Sequence, residues 1–192
     1  MGKREKNERA LSDLELIRRC SEMDVRAQEL LYKRYFSYAM SVAIRYTCDE
    51  DVAMEIVNDS YMKVLEKINE FDHTRPFRPW YHRILVNSAV DSYRHDTKHL
   101  SHIQISEIEA TEEMEPGIDA ELSAGDILYL FSQLPENYRV TFNLFEVEGY
   151  THSEIGQMLG ITASSSRSNL TRAKKVLREL YIKNFNPVRK EQ

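Results

Sequence analysis

Residues Thr151 to Leu180, THSEIGQMLGITASSSRSNLTRAKKVLREL, read as two helices joined by a tight turn. Thr151 followed by Glu154 fits a capping box, in which the Thr hydroxyl accepts an orphan amide of the first turn and the Glu reaches back to the cap. This predicts a short helix from His152 to Leu159. Gly160 supplies a left-handed residue just past its end, Ile161 can turn inward to hold the pair together, and Thr162 can cap the next helix. Along that second helix Leu170, Ala173, Leu177 and Leu180 recur at spacings of three and four, so one stripe is buried. Arg167, Arg172, Lys174, Lys175 and Arg178 supply cations with no acid among them before Glu179. Ala163 to Asn169 carries small and polar side chains that allow close approach to a major groove. The pattern is that of a DNA reader. A solvated cationic face has the same composition, and the helix dipole alone favours Lys and Arg in a last turn, so the decision rests on the remainder of the chain.

That remainder is long enough for one large domain or two small ones: 192 residues, 42% hydrophobic, support real cores. A net charge of -5 argues against a protein that coats DNA nonspecifically. The acidity is local, because His99 to Tyr138 holds no Lys or Arg but nine acids, whereas both flanks are near neutral or mildly basic. Cys20 and Cys48 form no CxxC and no pairing pattern, which fits a reduced, cytoplasmic protein. The start, MGKREKNERALSDLE, has no apolar core, Gly2 lacks the Ser or Thr of a myristoylation signal, and no apolar run approaches a membrane span. No direct membrane insertion is expected.

Periodicity predicts an all-α fold of two small helical domains joined by an acidic flexible linker. Ser12 and Glu15 suggest a capping box before a short helix through Cys20. Asp24 opens a longer helix with Leu30, Leu31, Tyr35, Phe36, Met40 and Ala43 on its buried stripe. A third helix follows Asp49 or Glu50, with Ala53, Ile56, Val57, Tyr61, Val64, Leu65 and Ile68 inward. Phe71 to Pro79 is a break rich in Pro and cations, and Trp80 to Lys98 is a fourth helix with Pro79 in its first turn. Ser101 to Gly125 mixes Glu, Ser, Ala, Pro116 and Gly117 without a long apolar period, as a linker does. Helices over Leu122 to Leu134 and Glu136 to Val147, separated by Pro135, lead into the reader pair. The domains are thus expected at 10–98 and 122–183, with the acidic linker at 99–121. No strand pattern or internal repeat competes.

Two stretches, PFRPWYHRILVNSAVDSYR (76–94) and QLPENYRVTFNLFEVEGYTHSEIGQMLGITASSSRSNLTRA (133–173), carry a family resemblance. In this order, around an acidic linker, they resemble an extracytoplasmic-function sigma factor in its minimal form, and the likeness covers nearly the whole chain. It implies the dissociable subunit that gives bacterial RNA polymerase its promoter choice. Core RNA polymerase and promoter DNA are the implied partners. An anti-sigma protein is a further one that such factors commonly have, although no residue here identifies it.

Promoter melting needs unpaired bases held out of the stack, which aromatic pockets and a base-reading amide can do. Phe71, Phe77, Trp80, Tyr81, Asn87 and Tyr93 offer such groups. The resemblance implies that Phe71, from the loop, and Asn87 help capture a flipped base of the -10 element. The amphipathic burial tendency of Phe77 and Trp80 makes them loop anchors first, with Trp80 kept as a -10 contact. Arg75, Arg78, Arg83, Arg94 and Lys98 could hold phosphates, Arg94 being the one placed in the -10 set. The third helix presents Glu55, Asn58, Asp59 and Met62, and the resemblance implies that this face meets a coiled coil of polymerase. Asn58 stands where a Gln is frequent and Glu55 where an Asp is frequent. For the -35 element the matching positions are Arg167, Ser168, Thr171 and Arg172, with Lys175 on the backbone. Ser166 and Asn169 depart from the usual apolar residue and Arg.

Catalysis finds little support. The six histidines are scattered, only His95 and His99 fall at i, i+4 with no third ligand in sequence, and phosphate loops, dinucleotide fingerprints and nucleophile elbows are missing. A protein without cofactor or metal is expected. Two other classes stay open from the residues alone: a stand-alone helix-turn-helix regulator that needs no polymerase, and an adaptor whose basic helix is merely solvated. The regulator would leave the Phe71 to Tyr93 constellation unused and normally requires dimer symmetry.

Overall fold

Side-chain caps set most of the helix starts. The computed structural model describes residues 11–99 and 122–185, so the linker expected at 99–121 lies, apart from His99, outside the described residues. Among these, every regular element is helical. The chain divides into two compact units, Met1–Ile44 with Asp49–Ser92, and Arg45–Cys48 with Tyr93–Gln192.

In the first unit, α1 (Asp13–Ser21) starts at Ser12, whose hydroxyl accepts the Glu15 amide at 3.2 Å. The expected capping box is only half made. Hydrogen bonds from the Arg18 and Arg19 guanidiniums occupy the Glu15 carboxylate and bring its pKa down to about 2. Asp24 begins α2 (Val25–Thr47), accepting the Arg26 amide at 2.9 Å and the Ala27 amide at 3.2 Å. Asp49 does the same for α3 (Glu50–Lys67), which ends in a 3-10 turn at Ile68–Glu70.

Helix α4 (Phe77–His99) begins three residues before the start expected at Trp80. Phe77 is buried and pulls the first turn against the core. Pro79 is tolerated there because the amides of a first turn have no intrahelical partner to lose. The core that results joins Leu16, Ile17 and Cys20 to Leu31, Ala39 and Val42, to Ile56, Val57 and Val64, and to Tyr81, Leu85 and Val86. Full burial of side chains of this size is worth about 1.5–3 kcal/mol each.

In the second unit, Ser123 and Asp126 close a full capping box on α5 (Ala124–Ser132), a helix shorter at both ends than the stretch from Leu122 to Leu134. Pro135 precedes α6 (Glu136–Phe142). Arg139 is buried and donates to the carbonyls of Phe131, which also takes the Leu134 amide, and of Leu134, both at 3.3 Å, so that α6 is tied to the chain leaving α5. Instead of the single helix expected through Val147, the chain widens into a π-helical turn at Asn143–Val147. There the Glu148 backbone amide reaches back five residues to the Asn143 carbonyl at 3.0 Å, while the buried Asn143 side chain donates from Nδ2 to the Arg139 carbonyl, also at 3.0 Å. α7 (His152–Leu159) and α8 (Ala163–Phe185) complete the unit. Helices α6 and α7 both pack on α8, around Tyr138, Val140, Leu144, Ile155, Leu159, Leu170 and Ala173.

Candidate nucleic-acid interfaces

The α7–α8 pair is the predicted helix-turn-helix. Thr151 and Glu154 form both halves of the capping box, and Gly160 ends α7 in the left-handed region at φ 70°. Thr162 caps α8, its hydroxyl accepting the Ser165 amide at 3.0 Å. The turn needs a second glycine, at position 156, to which neither the capping box nor the left-handed Gly160 points. A Cβ on Gly156 would lie 2.8 Å from the Ile161 carbonyl oxygen and 3.4 Å from the Ala163 nitrogen. A glycine inside a helical run weakens the helix unless a close approach demands it, and that was the available signal. Gly156→Ala is expected to destabilise the full chain by about 1–3 kcal/mol, the usual cost of overpacking. Chemical denaturation measures it, and an unchanged midpoint would show that the turn can shift without loss.

The π turn ties α6 to this motif. It stacks Phe145 on His152, with ring centroids 4.4 Å apart, and brings Glu146 to Lys174 at 2.7 Å. His152 Nδ1 in turn lies 3.0 Å from the hydroxyl of Ser166, which is fully buried. Ser166, the position where an apolar residue is usual, is thus accommodated by a polar partner fourteen residues earlier. Burial, then the charges of Arg167 and Lys174, lower the His152 pKa and favour the neutral ring.

Ser166, Leu170, Ala173 and Tyr181 form the buried stripe of α8, with Leu177 and Leu180 half-buried beside it. At 3.6 residues per turn, Arg167, Ser168, Thr171, Arg172 and Lys175 gather on the opposite side. Arg167 and Lys175 are exposed, and the other three are half-buried. The Thr171 hydroxyl donates to the Arg167 carbonyl at 3.1 Å. Lys174, which the sequence grouped with the other cations, is drawn aside by Glu146.

In the first unit, Trp80, Arg83, Asn87 and Asp91 recur at spacings of three and four along α4, and Arg94 continues the row on the part of the helix that belongs to the second. Asn87 is exposed and its amide has no hydrogen-bond partner among the described residues. Arg83 and Arg94 are likewise exposed without a partner among them. Phe71 sits differently from an open stacking surface: it is buried, with Trp80 at 5.1 Å and Phe77 at 5.7 Å between ring centroids. The loop after it is tied by Asp72, which accepts from the Thr74 amide and hydroxyl and pairs with Arg75 at 3.2 Å. Half-buried Trp80 covers the Phe71–Phe77 cluster, as expected of an anchor. Arg78 lies over the Tyr38 ring at 4.0 Å. The side chain of Lys98 falls outside the described residues.

On α3, Glu55, Asn58, Asp59 and Met62 form one exposed strip opposite Ala53, Ile56, Val57, Ser60 and Val64. Met62 is 57% exposed, an apolar contact ready for a protein surface. Asn58 is less available than its exposure suggests, because its carbonyl oxygen accepts from the Tyr32 hydroxyl at 2.8 Å. No group of three or more His, Cys, Asp or Glu side chains assembles as a metal site among the described residues. His95 lies 3.6 Å from Asp96, and the side chain of His99 is outside the description. No helix among them is long and apolar enough to cross a membrane.

Both regions match known family models: Sigma-70 region 2 over residues 31–99 and Sigma-70, region 4 over residues 124–177. The chain is 24% identical over 161 residues to the ECF RNA polymerase sigma factor SigM of Bacillus subtilis (strain 168), covering 81% of this chain and 96% of that protein. With the ECF RNA polymerase sigma-E factor of Escherichia coli (strain K12) the identity is 26% over 178 residues, covering 87% and 93%. Among solved structures, the sigma factor RpoE in complex with the anti-sigma factor NepR from Bartonella quintana aligns at a TM-score of 0.48 and 21% identity, over 86% of this chain and 97% of that one. With both sigma regions present in order, and likeness to these relatives over more than four-fifths of each chain, the chain belongs to the ECF RNA polymerase sigma factors.

Proposed function

We infer that this chain binds core RNA polymerase and directs promoter-specific transcription initiation, with its two units reading two promoter elements. The observation that carries the division of labour is chemical. One unit presents a helix-turn-helix whose outer face is small, polar and cationic, and the other presents an exposed, unengaged amide among arginines and an aromatic. The first suits a duplex major groove and the second an unpaired strand.

In this reading, residues 10–98 hold core polymerase and recognise and melt the -10 element, 99–121 form the acidic linker, and 122–183 recognise the -35 element. Arg167, Ser168, Thr171, Arg172 and Lys175 contact the -35 duplex. Asn87 takes a flipped base of the -10 element, Arg94 holds backbone, Trp80 borders the base, and buried Phe71 acts by shaping the loop. Glu55, Asp59, Met62 and the donor side of Asn58 meet polymerase. Family membership also supports an anti-sigma protein as a second protein partner.

The test is core polymerase plus this chain on a promoter library. Initiation from sequences selected at two separated elements is expected. Duplex binding without initiation would instead support a stand-alone regulator, and neither activity would support an adaptor.

A further inference from the structure

We propose that Tyr32 is a positioning residue for core polymerase binding: it turns the Asn58 amide so that the Nδ2 donors face the partner, which must answer with an oxygen acceptor. The proposal rests on the reading of the outer strip of α3 as the polymerase face. From α2 the Tyr32 hydroxyl donates to Asn58 Oδ1 at 2.8 Å. Its ring is itself held, edge-on to buried Tyr61 at 5.1 Å between centroids and tilted on Phe36 at 5.5 Å. The Tyr61 hydroxyl in turn donates to the Gln28 carbonyl at 2.5 Å, one turn before Tyr32 on α2. Asn58 Nδ2 has no partner among the described residues.

The amide of an asparagine turns about a soft torsion and can present either its oxygen or its nitrogen. The bond from Tyr32 removes that freedom. Its consequence is set by the neighbours: the Glu55 and Asp59 carboxylates only accept and Met62 offers no donor, so Asn58 supplies the donor of the strip. With its oxygen outward the strip would present acceptors alone. With its oxygen tied down, the partner must place a carbonyl or carboxamide oxygen opposite Asn58, between groups that donate to the two carboxylates. That alternation fixes the register of the partner along α3. A purely structural role is the weaker account, because the bond is exposed and such a bond adds little to a core in which Leu31, Ile56 and Val57 are already buried.

The full chain, fluorescently labelled, is titrated with core polymerase as the parent, Tyr32→Phe, Asn58→Ala, Asn58→Asp and the double variant of Tyr32→Phe with Asn58→Ala, and each is followed by chemical denaturation. Phenylalanine keeps the ring contacts and removes the hydroxyl. Tyr32→Phe should weaken core binding roughly three- to tenfold, the effect of having to order one freed side chain on binding, with a denaturation midpoint close to the parent's. In the Asn58→Ala background the same change should cost nothing more, because no amide remains to be oriented. Asn58→Asp keeps an acceptor for Tyr32 but has no donor, and should bind no better than Asn58→Ala. An equal loss from Tyr32→Phe in both backgrounds, or no loss in either, overturns the positioning role and leaves α3 as the polymerase face. Asn58→Asp binding as tightly as the parent overturns the donor requirement. Parent-like binding by Asn58→Ala removes Asn58 from the polymerase face, and the proposal falls with that reading.

Discussion

Asn87→Ala is expected to keep core binding and -35 contact while losing open-complex formation. The substitution removes a side chain that is exposed and has no hydrogen-bond partner among the described residues, so the first unit has no internal contact to lose. Surface changes of this kind usually stay within about 0.5 kcal/mol of parent stability. An amide that reads an unstacked base, by contrast, contributes only after the strands separate. If it bonds that base in two directions the loss is about 1–3 kcal/mol, enough to reduce opening roughly five- to 150-fold. Permanganate reactivity of thymines near the start site measures it, alongside gel-shift measurement of core binding. Normal reactivity in the variant would show that Asn87 is idle, whatever its exposure.

Short-range signals made much of the architecture legible. Ser12, Asp24, Asp49, Thr151 and Gly160 each act on amides or carbonyls within a few residues, so their chemistry is visible in a local window. The same logic misled where a side chain had a stronger competitor. Glu15 has the spacing of a capping box, but two guanidiniums one turn away take its carboxylate. The start of α4 is hidden because Phe77 lies between two prolines, a context that reads as loop although the side chain is buried. Nothing in the composition of Thr141 to Val147 announces a π turn, since the inserted residue changes the hydrogen bonding and not the residue types.

Sites were less legible than helices because their supports are distant in sequence. Ser166 looked like a weak point, and His152 explains it only after the turn folds back. The resemblance sets Asn58 on the polymerase face of α3, and periodicity gives no sign of its tie to Tyr32. For Phe71 the resemblance implies a base contact, whereas its burial follows from packing against Phe77 and Trp80 across the loop. The outer face of α8 fared better: the stripe it opposes is periodic and apolar, so identifying one side identifies the other.

Arg167→Ala and Arg172→Ala are each expected to weaken promoter recognition by about 1–3 kcal/mol if the guanidinium grips a base edge bidentately, with selectivity relaxed at one position of the -35 element. Lys175→Ala should behave differently. An exposed ammonium on the same face is a point charge for phosphate, so its removal should weaken binding almost uniformly across sequences and flatten the salt slope by about one unit. Lys174→Ala provides the internal contrast, because Lys174 is paired with Glu146 and should tie the π turn to α8 more than it attracts DNA. Initiation from a library randomised through the -35 region, with duplex binding at several salt concentrations, separates these outcomes. If both Arg variants select the parent sequence with parent affinity, the outer face of α8 is not the reader. The cationic helix would then be a solvated face, and promoter choice would have to come from the first unit alone.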